Sequence, residues 1–148
     1  AAFALPRFAQ LSEQAHRSSI KGAAGALSAG VALVKAQWVT NGASSASADR
    51  TGIDGFGNEI ISVTENGWPV STGAYNGDGG GNATMTNGRC IDIWEELLQA
   101  NAPTVGAGTT DYGVTSSGGT CVYTYNPDGR LSTITYNAET GEVSTNIN

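Results

Sequence analysis

Apolar residues in the first forty positions recur with a helical period. Ile20, Ala24, Leu27, Val31, Val34 and Trp38 are spaced 4-3-4-3-4, which places them on one stripe of a helix. A second stripe, Phe3, Phe8, Leu11 and Ala15 with Leu5 beside it, precedes the first. Polar Glu13, His16 and Arg17 separate the two. A helix over residues 1–40 whose two halves bury different faces has two partners. The pattern assigns the upper half to its own domain and the lower half to something the rest of the chain does not supply. Gly22, Ala26 and Gly30 fall four apart, a row of small residues expected to let another backbone approach closely. Glycine costs about 1 kcal/mol relative to alanine inside a helix, so three in one helix need such a reason. Asn41-Gly42 supplies the stop.

Further along, the period changes. Residues 43–57 are Ser/Ala/Gly-rich and aperiodic, which reads as a surface loop. Residues 59–64 read as a strand, Glu65-Asn66-Gly67 as its turn, and Trp68-Pro69-Val70 as an extended piece that Pro69 confines to an edge. A short helix is expected over Cys90–Ala100, with Ile91, Trp94 and Leu98 on one face. Residues 105–119, dense in Gly, Thr and Ser, read as loop. The last thirty residues alternate as a meander, with turns at Asn126-Pro127-Asp128-Gly129 and over 137–141. With the strand at 59–64 this makes a sheet of about four antiparallel strands, and the Ile20–Trp38 stripe is its natural cover. The expected class is α+β: one domain, with a helical spine at 1–40, a connecting loop and first strand at 41–89, a region bounded by the cysteines at 90–121 and the meander at 121–148.

Charge removes some function classes. Thirteen acidic against seven basic residues give a net charge of −6, with no Lys/Arg run, which argues against nucleic acid as a partner. Charged residues make up only 14% of the chain, and the abundance of Gly, Ser, Thr and Asn has the look of an exported protein. Cys90 and Cys121, with no CxxC motif and a single histidine in the chain, are read as one disulfide rather than a metal site. Closing that loop stabilises a fold by roughly 3 kcal/mol. The opening Ala-Ala-Phe-Ala-Leu-Pro reads as the end of a longer apolar segment, or else as a chain that simply starts with a few apolar residues.

A search for chemistry finds little. His16 is read as a solvated helix residue rather than a base, and Glu95 and Glu96 are sequential, so they point to different sides of their helix. The Gly-rich stretches at 55–57 and 77–81 lack the lysine and the strand-to-helix step of a phosphate loop. Asp54, Asn58, Glu59, Asn76 and Asp78 offer oxygen ligands for Ca²⁺ but match no EF-hand spacing, and turns use Asp and Asn for structural reasons. Asn82-Ala83-Thr84 matches the short N-glycosylation pattern. Trp38, Trp68, Trp94, Tyr123, Tyr125 and Tyr136 sit at core-like positions. The expectation is no catalysis, no cofactor and no metal, and a function in assembly and surface display.

The sequence resembles a family at several points. Ala4-Leu5-Pro6-Arg7-Phe8 resembles the (A/L)PRF segment of type IV pilins, which follows their N-terminal transmembrane helix and holds its kink proline. The Gly/Ala-rich helix, the stretch from Cys90 to Leu98, Cys121-Val122-Tyr123 and Asn66-Gly67-Trp68-Pro69 are similar to the mannose-sensitive haemagglutinin branch of that family. The resemblance implies a ladle-shaped pilin fold: a long helix on a four-stranded antiparallel sheet, with one disulfide-bounded region. It implies a cell-surface or extracellular filament, built from copies of this chain and other pilins by an assembly machine, with an inner-membrane pool held by a preceding apolar segment. Phe3, Leu5, Pro6, Phe8, Leu11 and Ala15 are then the filament-assembly residues. A pseudopilin of a type II secretion system and a surface-binding module are the alternative readings.

Overall fold

In the computed structural model the Ile20–Trp38 stripe becomes one wall of the core. The structure describes residues 4–44, 46, 50–53, 61–73, 81–98 and 102–148; for 4–11 it describes the backbone alone. Helix α1 runs from Ala4 to Thr40, a rod of about 55 Å at 1.5 Å per residue. Ile20, Ala24, Leu27, Val31, Val34 and Trp38 are all buried, as their spacing predicts. Burying each large aliphatic side chain among them contributes about 1.5–3 kcal/mol. Gly42, at φ +112°, ends the helix, and Ala43 N–H returns to Trp38 O at 2.9 Å. Pro6 lies in the first turn, where a missing backbone donor costs nothing.

The main sheet has four antiparallel strands in the order β3 (Tyr112–Ser117), β4 (Thr120–Tyr125), β5 (Thr133–Asn137) and β6 (Glu142–Asn146). Its registers are regular: Val114, Tyr123, Ile134 and Thr145 form one cross-strand row on the inner face, and Ser116, Cys121, Tyr136 and Val143 form another. The outer face carries Thr115, Val122, Thr135 and Ser144 in the matching row. Helix α2 (Asn87–Leu98) packs against α1 and β3, and α1 packs also against β6.

Three expectations are corrected here. The strand expected at 59–64 does not join the meander: within its described part, β1 (Ser62–Val63) pairs only with β2 (Pro69–Ser71), as a separate two-stranded ribbon. The tight turn at Gly67 closes that pair locally, with Gly67 N–H to Thr64 O at 2.9 Å. The fourth strand of the sheet comes instead from β3, inside the stretch read as loop. Glycine and small polar residues gave Tyr112–Ser117 no strand signal of its own, and pairing with β4 makes it a strand. The second helix also begins three residues early, at Asn87, with Thr86 Oγ1 accepting from Arg89 N–H at 3.2 Å as its cap.

The layers are tied by aromatic side chains whose polar tips find backbone partners. Tyr136 Oη donates to Pro69 O at 2.6 Å, linking sheet to ribbon. Tyr123 Oη donates to Cys90 O at 2.7 Å, and Trp94 Nε1 to Pro103 O at 2.8 Å. Cys90 and Cys121 are buried and bonded to each other, with Cα atoms 5.7 Å apart, joining α2 to β4. Glycine is required at Gly67. Its φ is +85°, and a Cβ there would run into the six-membered ring of Trp38. Gly67→Ala is therefore expected to lower unfolding free energy by about 2 kcal/mol or more in a denaturant titration, because both the dihedral and a rigid ring oppose it.

Candidate functional site

The long helix is the element with surface left over. Its buried stripe takes one side only. On the other side Gly22, Gly25, Ala26, Ala29, Ala32, Leu33, Ala36 and Val39 are all exposed, Leu33 at 60% and Val39 at 52%. Between Lys21 and Lys35 there is no charged residue at all. A surface helix normally sets charged and polar residues opposite its core stripe. Between those two lysines the solvent side is as uncharged as the core side. The row of small residues splits between two uses. Gly30 meets α2, where a Cβ would sit 3.0 Å from Leu97 Cβ, whereas Gly22 and Gly25 have open space around them.

At its upper end the helix is fastened by a cation. Lys35 Nζ lies 4.9 Å from the Trp38 ring centre and 4.6 Å from that of Trp68, and donates to Asn66 O. Trp68 in turn packs over Gly141, in the β5–β6 turn. One ammonium thus joins α1, the ribbon and the main sheet through two aromatic faces.

The lower fastening corrects the reading of His16. It is not a solvated residue: it is half-buried, its Nδ1 lies 2.6 Å from Tyr125 Oη, and the two rings meet edge to face at 5.5 Å. Beside it, Arg130 Nη1 bonds Glu13 Oε1 at 2.9 Å across from the β4–β5 turn. Arg17 lies 3.6 Å from the same carboxylate. The helix therefore keeps contact with its own domain down to Glu13, nearly two turns below Ile20. Both charges of the Glu13–Arg130 pair are well exposed, so its contribution is at most about 1 kcal/mol.

A file of rings runs through the molecule from α2 to this junction: Trp94 to Tyr112 at 4.6 Å, Tyr112 to Tyr125 at 5.3 Å, Tyr125 to His16. Tyr112, which lay in the expected loop and carried no strand signal, is fully buried, and its hydroxyl has no hydrogen-bond partner among the described residues. Burial holds the hydroxyls of Tyr123 and Tyr136 well above their ordinary range. It does the same at Tyr112, with the neighbouring Tyr125, Asp111 and Asp128 adding to it.

Of the expected filament-assembly residues, Phe3 lies outside the described residues, and so do the side chains of Leu5, Pro6, Phe8 and Leu11, whose backbone from Leu5 onward is helical. Ala15 is described and exposed. Asp54, Asn58, Glu59, Asn76 and Asp78 lie outside the described residues, and among those described no three His, Cys, Asp or Glu side chains group to hold a metal. Asp92 accepts a bond from Thr72 Oγ1 at 3.2 Å, and Asn82 is exposed. No helix among the described residues is long and apolar enough to cross a membrane. The exposed face of α1 carries a sequence signal beyond the Gly22–Ala26 row: thirteen residues, 22–34, without a charge.

The raised tyrosines predict an alkaline limit. A group whose folded pKa exceeds its unfolded value of 10 adds stability that is complete below pH 10 and is lost as the pH rises beyond it. Stability is expected to fall steadily above pH 10, and ultraviolet titration is expected to show Tyr112, Tyr123 and Tyr136 ionising together with unfolding rather than at pH 10. Simple titration of all three at pH 10 in folded protein contradicts their burial. Comparison with protein families, with curated proteins and with solved structures finds no match to this chain.

Proposed function

We propose that the chain is a structural subunit of a type IV pilus, which assembles through α1 and displays its sheet domain outward. The observation that carries this reading is the double-sided helix: one face is completed by its own sheet, and the opposite face, from Gly22 to Val39, is exposed and uncharged except for Lys21 and Lys35 at its margins. Surface of that extent is an unmet packing demand. Copies of the same helix, packed side by side through small residues, meet it.

The sequence resemblance and the α+β layout support the same reading. Contacts of this kind join unlike patches on successive copies. They do not close on themselves, and so they generate an open helical fibre. By the sequence resemblance, Phe3, Leu5, Pro6, Phe8, Leu11 and Ala15 are further assembly residues in this reading, and an apolar segment ahead of them would hold the subunit in the inner membrane before assembly. In this reading the partners are other pilins and the assembly machinery, and the domain carries no chemistry of its own. The disulfide and the aromatic ties hold the displayed domain rigid outside the cell.

The test is a substitution on the exposed side. Leu33→Glu in the full-length protein is expected to leave the fold intact, with a change in stability within about 0.5 kcal/mol, and to abolish fibres seen by electron microscopy. Thr115→Glu, on the outer face of the sheet, is expected to leave fibres in place. Normal fibres from the Leu33 variant would contradict the proposal. Cells lacking the gene separate the pseudopilin reading, which predicts failed enzyme secretion with surface fibres retained.

A further inference from the structure

The main sheet has two edges, and they are built differently. At the β3 edge, Tyr112 N–H donates to Thr104 O at 2.9 Å and Gly106 N–H to Tyr112 O at 3.1 Å, so that Val105 bridges to Tyr112. Toward the other end, Ser116 Oγ donates to Asn87 Oδ1 at 2.9 Å and Met85 N–H to Gly118 O at 2.6 Å. That edge is closed at both ends. The β6 edge is open. Glu142–Asn146 pairs residue for residue with β5 without a bulge, and among the described residues neither a strand nor an isolated bridge lies on its far side. Glu142, Ser144, Thr145 and Asn146 are exposed. Edge strands are ordinarily kept from pairing by charged side chains, proline, a bulge or shortness; β6 has neither proline nor bulge, and Glu142 is the one charge on its five residues.

We propose that β6 is a strand-pairing surface for a second copy of this chain, the two β6 strands running antiparallel about a twofold axis through Ser144. The strand is complementary to itself in that register. Ser144 faces Ser144 of the other copy, Val143 faces Thr145, and Glu142 faces Asn146. All five residues are paired, and the one charged side chain meets a carboxamide instead of another carboxylate. Like charges opposite one another destabilise a strand pair, which matters in a chain of net charge −6. A twofold contact between identical patches is also the commonest way for copies of a chain to meet. The two four-stranded sheets then join into one continuous sheet across the contact.

The pairing residues are those of β6, on which α1 also packs, and the contact stands whether or not α1 builds a filament. If it does, such a filament is polar, and a twofold contact then lies between two filaments running in opposite directions or between unassembled subunits.

Three measurements on the chain test it. Sedimentation velocity is expected to show a dimer that grows with concentration. Ser144→Cys puts the two Cβ atoms roughly 4.5–5.5 Å apart across the axis, close to what a disulfide spans. Mild oxidation is expected to cross-link it in much higher yield than Thr115→Cys, on the opposite edge strand. Ser144→Lys, which sets two ammonium groups face to face, is expected to return the dimer to monomer at the same concentration, whereas Leu33→Glu is not. A chain that stays monomeric at its highest soluble concentration overturns the proposal. So does equal cross-linking of the two cysteine variants, or a Ser144→Lys chain that associates like the parent. Association lost in Leu33→Glu but kept in Ser144→Lys assigns the contact to α1 instead.

Discussion

The structure depends on one constraint: a helix of thirty-seven residues must be held along much of its length by a small domain that touches one side of it. The core stripe from Ile20 to Trp38 supplies most of the free energy, through six buried positions that reach sheet, ribbon and α2 together. Directional ties at the two ends fix where the helix lies. At the top, Lys35 between two indole rings joins three elements. At the bottom, the His16–Tyr125 contact and the Glu13–Arg130 pair hold the helix against the sheet's lower edge. Apolar burial has no preferred direction along a stripe, so such polar ties are what stop a smooth, Ala-rich helix from sliding.

Rigid anchoring on one side gives meaning to the other. If α1 rolled on its domain, its exposed face would have no fixed orientation and could not present a regular surface to neighbouring copies. The ring file from Trp94 through Tyr112 and Tyr125 to His16, together with the Cys90–Cys121 bond, locks α2 and the sheet behind the helix. The result is a stiff body carrying a smooth uncharged ridge. The one histidine of the chain is engaged with a tyrosine.

Much of this was legible in the sequence, for identifiable reasons. The core stripe was readable because a 4-3-4-3-4 spacing sustained over nineteen residues has no competing explanation. The meander was readable because its turns carry strong local chemistry, Asn-Pro-Asp-Gly above all. Strand β3 was not. Tyr112 and Val114 alone mark its inner face, and its Gly, Thr and Ser become a strand only by pairing with β4. The ribbon at 62–71 was assigned to the wrong sheet because periodicity reports a strand and says nothing of its partner. His16 was misread because polarity on a helical wheel cannot foresee a tyrosine 109 residues away. The exposed face of α1 is only partly legible, through the Gly22–Ala26 row, because its main signal is an absence of charge opposite the apolar stripe.

On the proposed function, this exposed face is covered by other copies when the protein assembles. The direct measurement is thiol labelling of Ala29→Cys, a position exposed on that face, in the isolated domain and in the assembled full-length protein. Thr115→Cys on the outer sheet face serves as reference. Rapid labelling of residue 29 in the domain, with protection of residue 29 but not of residue 115 after assembly, is the result predicted. Equal labelling of residue 29 in both states would contradict it.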